Sequence, residues 1–145
     1  MRISKHTDLN DGSSCTLDFD EAEGWLRAVW VGPVDPNEAY NGAARLLDAM
    51  QTWHCPYLLN DNSQLTGPWF DSVEWLQRVW APQAAKLGLR YIAHIAQPHD
   101  LVQQAAALSA QSLSNNIELQ LFDTVPEAEE WLREQRPQSV SSNSQ

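Results

Sequence analysis

The sequence predicts an α/β domain built on a five-stranded, mostly parallel sheet with about four helices, in the order β-β-α-β-α-β-α-β-α. Three observations predict it. Short runs rich in β-branched and aromatic residues alternate with segments whose apolar residues recur every three or four positions. Helix-start signals stand at the head of the helical segments. The 145 residues suit one domain, since folds of ~100–150 residues bury roughly two-thirds of their unfolded surface.

Residues 1–13 are polar and read as a lead-in. Ser14–Phe19 alternates weakly, an acidic turn follows at Asp20–Gly24, and Trp25–Val31 ends at Gly32-Pro33. This reads as an opening hairpin. Asp35-Pro36-Asn37-Glu38 combines a cap, a first-turn proline and an acid three residues on. The helix it opens carries Tyr40, Ala43, Ala44, Leu47, Met50 and Trp53 at helical spacing, and His54-Cys55-Pro56 closes it. Tyr57-Leu58-Leu59 is apolar throughout, as a central parallel strand covered on both faces requires.

After a polar stretch, Trp69, Val73, Leu76 and Trp80 repeat at helical spacing, with Pro82 ending or kinking the helix, a last turn to Lys86 and Gly88 as C-cap. Arg90–Ala96 reads as a strand, and Pro98-His99-Asp100 opens a helix with Leu101, Val102, Ala105, Leu108 and Leu113 inward. Ile117–Phe122 alternates as a final strand. Thr124-Val125-Pro126-Glu127 is a capping box before Ala128, Trp131 and Leu132. The single domain spans 14–136, and 137–145, with too little to bury, reads as a disordered tail.

The net charge is −10 at pH 7. That disfavours nucleic acid, whose phosphates need clustered Lys and Arg, and anionic membrane surfaces. No apolar run approaches the ~20 residues of a bilayer span. Met1–His6 lacks the apolar block of a secretion signal, so a cytoplasmic location is expected. Cys15 and Cys55 are expected as free thiols there, and neither belongs to a C-x-x-C pair. No cofactor or metal is expected.

The chain resembles the STAS superfamily, and more narrowly the SpoIIAA-like group of small bacterial proteins, whose fold is similar to that of the CRAL-TRIO lipid carriers. Three stretches carry the likeness: Leu58-Leu59-Asn60-Asp61-Asn62-Ser63, Arg90–Ala96 entered from Gly88, and Phe122-Asp123-Thr124 followed by Ala128 and Trp131-Leu132. With the element order, the resemblance covers roughly residues 14–135. It implies a binding or regulatory module rather than an enzyme. In regulatory members a kinase phosphorylates a Ser or Thr after the central strand, a position falling within 60–72 here. The Asp-Ser-Ser-Gly string of those regulators is absent, with Asp71-Ser72 a partial echo.

The 61–66 loop is the first candidate site, because open α/β sheets place ligands beyond the C-terminal ends of their strands. Asp61, Asn62, Ser63, Thr66 and Ser72 are its candidate ligand, partner or phosphorylation residues; ordinary turn chemistry is the alternative. Trp69, Trp75, Trp80 and Tyr91 are candidate pocket or interface aromatics, with an aromatic core as the alternative. Trp69 and Trp80 share a helical face from which Trp75 is turned away. His94 reads as a satisfied core histidine, and His54-Cys55 as mere sequence neighbours. No hydrolase, zincin, Walker or dinucleotide-binding string is present.

The expected function is a non-catalytic regulatory or protein-interaction module, with a protein partner or a homodimer. An apolar-ligand carrier of the CRAL-TRIO type is the alternative, and a hydrolase or transferase using the 61–66 loop stands third.

Overall fold

A computed structural model describes residues 2–7, 12–33, 36–66, 75–98 and 117–136. Its sheet has six strands in sequential order: β1 (Arg2–Thr7), β2 (Ser14–Asp20), β3 (Trp25–Gly32), β4 (Tyr57–Leu65), β5 (Tyr91–Ile95) and β6 (Glu118–Phe122). β1–β2 and β2–β3 are antiparallel, and β3–β4, β4–β5 and β5–β6 are parallel. The five strands expected from the sequence are all present, and the mixed, mostly parallel architecture holds. The sixth strand corrects the reading of residues 1–13 as a lead-in. Arg2–Thr7 carries a single apolar residue, Ile3, so hydrophobic alternation gives no signal. As an edge strand it needs only the backbone of β2, which it meets in the register His6↔Cys15 and Thr7↔Ser14.

The acidic turn is held locally. Asp20 Oδ1 accepts the Glu23 amide at 3.0 Å, and Gly24 takes a φ of 81°, which a side chain would resist. Helix α1 (Pro36–Trp53) ends where His54 adopts a φ of 42° while its amide still donates to Met50 O at 3.0 Å. The end is as expected, and the face is so only in part: Ala43 and Met50 turn inward as expected, but the stripe around them is displaced. Ala39, Ala43, Leu46, Ala49 and Met50 are buried, whereas Ala44 is exposed and Tyr40, Leu47 and Trp53 are half-buried. Asp35, the expected cap, lies outside the described residues.

Trp75 leads into a π-helical turn at Leu76–Trp80, which runs directly into α2 (Ala81–Lys86). Pro82 explains the change of pitch: it has no N–H to donate and its ring crowds the preceding turn, so the chain widens before it. Gly88, at φ 110°, closes α2, with the Leu89 amide donating to Ala84 O at 3.0 Å. Helix α3 (Val125–Glu134) has the capping arrangement its sequence predicts: the Thr124 hydroxyl accepts the Glu127 amide and donates to the Glu127 carboxylate at 2.8 Å. The helix expected over 101–113 lies outside the described residues.

Alternation assigns the two sheet faces. Phe19, Trp30, Asn60 and His94 look toward α1 and α2: Phe19 stacks on Trp53, and Trp30 meets Gly42. Arg27, Tyr57, Tyr91 and Phe122 look toward α3, where Trp131 packs edge-on to Tyr91 with ring centroids 6.0 Å apart. β4 is therefore covered on both sides, and Tyr57, Leu58 and Leu59 are buried, as their unbroken apolar run predicts.

Candidate functional site

The polar stretch after Leu59 is not a loop. β4 continues through it to Leu65, which corrects the reading of 61–66 as a loop leaving the strand. The strand bulges there: Val29 pairs with Asp61, but Val31 pairs with Gln64, so β4 spends one more residue than β3 between the two positions. The extra residue falls at Asn62-Ser63. Short polar side chains make the bulge, because they satisfy the backbone groups the ladder leaves behind. Asp61 Oδ1 accepts both the Ser63 amide at 2.9 Å and the Ser63 hydroxyl at 2.6 Å. From the end of β5, Gln97 Nε2 donates to Ser63 O at 2.9 Å. Asp61 and Asn62 are buried and Ser63 is half-buried. The Asn62 Oδ1 atom is buried with no partner. Thr66, exposed just beyond the strand, ties back through its amide to Gly32 O at 3.1 Å.

The structure thus brings together Asp61, Asn62, Ser63 and Thr66 at the C-terminal end of β4. Ser72 and Trp69 lie outside the described residues. The other aromatic candidates lie elsewhere. Trp80 is buried beneath α1, its Nε1 donating to Ala43 O at 2.9 Å. Tyr91 lies between the Tyr57 ring and Trp131 at the N-terminal ends of the strands. Trp75 is half-buried and packs edge-on to Tyr40, with centroids 4.8 Å apart.

Beneath the bulge, on the α1 face, runs a polar row that the sequence reading missed. Trp30 Nε1 donates to Asn60 Oδ1 at 2.8 Å, and Asn60 Nδ2 meets His94 Nδ1 at 3.1 Å. Because the Asn60 oxygen receives Trp30, its amide nitrogen is the donor to His94, which makes Nδ1 the acceptor. His94 is buried, a satisfied core histidine as expected. The available signal was Asn60 itself, a polar residue ending an apolar run at a position whose neighbours on the adjoining strands are Ala28 and His94.

The thiols fit no reactive site. Burial pushes the Cys15 thiol up to about 11, against the opposing influence of Arg45. It raises Cys55 as well, whose Sγ lies against Gly24 O and Tyr57 O. Both cysteines are free. Among the described residues no group of three His, Cys, Asp or Glu side chains is placed to hold a metal ion, and no helix is long and apolar enough to cross a membrane.

No family model matches the chain, and no curated protein matches it significantly. Among solved structures, it is similar to the crystal structure of an uncharacterized protein of the DUF3478 family from Shewanella loihica PV-4, described as having a SpoIIAA-like fold. The two align over 88% of this chain and 98% of the other, with 18% identity and a TM-score of 0.50. At that identity the shared property is the architecture: this chain has a SpoIIAA-like fold.

Proposed function

We propose that the protein is a non-catalytic regulatory or protein-interaction module that presents the C-terminal end of β4 to a protein partner. One observation carries this reading: the Asp61 carboxylate is spent on shape. It holds the Ser63 amide and hydroxyl together and so fixes a bulge that displays Gln64 and Thr66 to solvent. A serine meant as a nucleophile needs a base in reach that is itself free to accept its proton and positioned by a third group. The nearest imidazole in the sheet, His94, is on the opposite face and held by Asn60. A phosphoryl group on Ser63 would set a dianion beside the Asp61 carboxylate, which charge repulsion opposes. The aromatic candidates Trp80 and Tyr91 are taken up in internal packing, which favours an interaction module over an apolar-ligand carrier.

The test is affinity capture with the intact protein and with Thr66→Arg, an exposed substitution beyond the bulge. The partner captured by the wild type is lost with Thr66→Arg, while the far-ultraviolet spectrum and melting temperature stay unchanged. Turnover of a metabolite by the purified protein, abolished by Asp61→Asn or Ser63→Ala, overturns the reading in favour of an enzyme.

A further inference from the structure

β1 closes one side of the sheet, and among the described residues no other strand lies along its outer edge. An edge strand leaves alternate backbone N–H and C=O groups unpaired, a template for a further strand. The charge of this edge runs against the rest of the chain. The protein carries −10 overall, yet Arg2–Thr7 contains Arg2, Lys5 and His6 and neither Asp nor Glu. Arg2 stands in register with Asp18, but Lys5 stands opposite Thr16. Lys5 is exposed, and no carboxylate among the described residues pairs with it. Arg45 of α1 hydrogen-bonds the thiol of Cys15, the register partner of His6, and its buried Nε has no partner. Lys5 and Arg45 lie on opposite faces of the β1–β2 pair, since Lys5 and Thr16 alternate with His6 and Cys15.

Such an edge is selective. A second copy adding through its own β1 brings the like charge of its Lys5 to this edge, which is unfavourable for cross-strand neighbours. Lysine on an edge likewise repels basic strands and gives neutral ones nothing. An extended acidic segment gains backbone hydrogen bonds and opposite charge together. We propose that the outer edge of β1 is a strand-addition site for an extended acidic segment of a protein partner. This rests on the reading of the chain as an interaction module and places the contact at the far edge of the sheet from β6, away from the β4 bulge.

The experiment uses the full isotope-labelled chain and three probes: a capped peptide of about eight residues alternating Glu and Val, its Lys and Val counterpart, and a single-stranded oligonucleotide. With the acidic peptide, amides of β1 shift and exchange more slowly. Binding weakens at about 0.5 M salt, where charges are screened within a few ångströms. Lys5→Glu lowers affinity about fivefold, the equivalent of one cross-strand charge pair reversed. Four outcomes overturn the proposal: no response at β1 with millimolar acidic peptide, an equal response to the lysine peptide, tighter binding of the oligonucleotide, or self-association through β1. If any occurs while Thr66→Arg still abolishes partner capture, strand addition fails and the interaction module stands. If Thr66→Arg has no effect while β1 responds as stated, the β4 surface is what fails.

Discussion

Gly42 of α1 lies against the indole of Trp30 so closely that a Cβ at this position would stand 2.3 Å from Cη2 of the ring. The ring has little freedom to give way, because its Nε1 is held by Asn60 Oδ1 at 2.8 Å. In an exposed helix interior, Gly→Ala gains about 0.5–1 kcal/mol. Here the sign reverses. Gly42→Ala destabilises by about 1–3 kcal/mol, the usual cost of overpacking a filled core. Urea unfolding of the single variant and of Gly42→Ala with Trp30→Leu checks it: the smaller side chain removes the penalty of the added methyl.

That contact also explains what the sequence left hidden. The spacing of Tyr40, Ala43, Ala44, Leu47, Met50 and Trp53 suggested one inward stripe on α1; Ala43 and Met50 are buried as expected, but the helix is turned so that Gly42 faces Trp30, and Ala39, Leu46 and Ala49 complete the buried stripe in place of Tyr40, Ala44 and Leu47. Periodicity revealed that a helix exists; side-chain size across the interface set its rotation. The parallel strands were legible because burial on both faces demands apolar runs such as Tyr57–Leu59. β1 and the second half of β4 were not. β1 draws on backbone pairing and one apolar side chain, Ile3, while Asn60 is satisfied across the fold by Trp30 and His94, the Ser63 carbonyl by Gln97, and the Ser63 amide and hydroxyl locally by Asp61. In the candidate site, its place at the end of the central strand was readable. The bulge and the polar row were not, since both depend on partners about 30 residues away in sequence.

The row Trp30–Asn60–His94 makes a second prediction. Asn60→Leu preserves volume roughly but leaves the Trp30 N–H without its acceptor in a buried place. A stranded buried donor costs about 1–3 kcal/mol. The double variant Trp30→Phe with Asn60→Leu is expected to cost less than the sum of the two single changes, because no donor is then left. A double-mutant cycle by chemical denaturation reads this difference; additivity within error contradicts a direct Trp30–Asn60 bond.

The C-terminal helix is fastened to the β2–β3 turn by charge. Glu23 Oε2 meets Arg133 Nη2 at 2.6 Å, Glu23 Oε1 meets Arg136 Nη2 at 2.6 Å, and both guanidinium groups lie over the buried Trp25 ring. Hydrogen bonds from Arg133 and then Arg136 hold the Glu23 carboxyl down from 4.5 to about 2. A carboxyl lowered by folding stabilises fully above its unfolded value and loses that contribution as the pH falls toward its folded value. The stability difference between the wild type and Glu23→Gln is therefore expected to be constant above about pH 5 and to shrink between pH 4.5 and about 2. Its size is modest, about 1 kcal/mol or less, since these side chains are partly exposed and screened. Raising salt at pH 7 narrows the same gap. A difference that grows on acidification contradicts the assignment.

The two thiols supply a chemical check on the core. With its thiol raised to about 11, Cys15 is ionised at pH 8 to only about one part in a thousand, against about one in ten for a group at 9. Burial adds a second barrier, because Cys15 and Cys55 lie under α1 and at the foot of β4 and offer a reagent almost no surface. A disulfide-exchange reagent at pH 8 is therefore expected to label neither cysteine of the native protein quickly, and to label both at once in denaturant. The native rate then reports how often the sheet opens, so it is expected to rise in Gly42→Ala by the same factor by which that substitution lowers stability. Rapid labelling of one thiol in the unmodified protein contradicts the packing of α1 over β2, and absence of a second thiol in denaturant contradicts the free state of the pair.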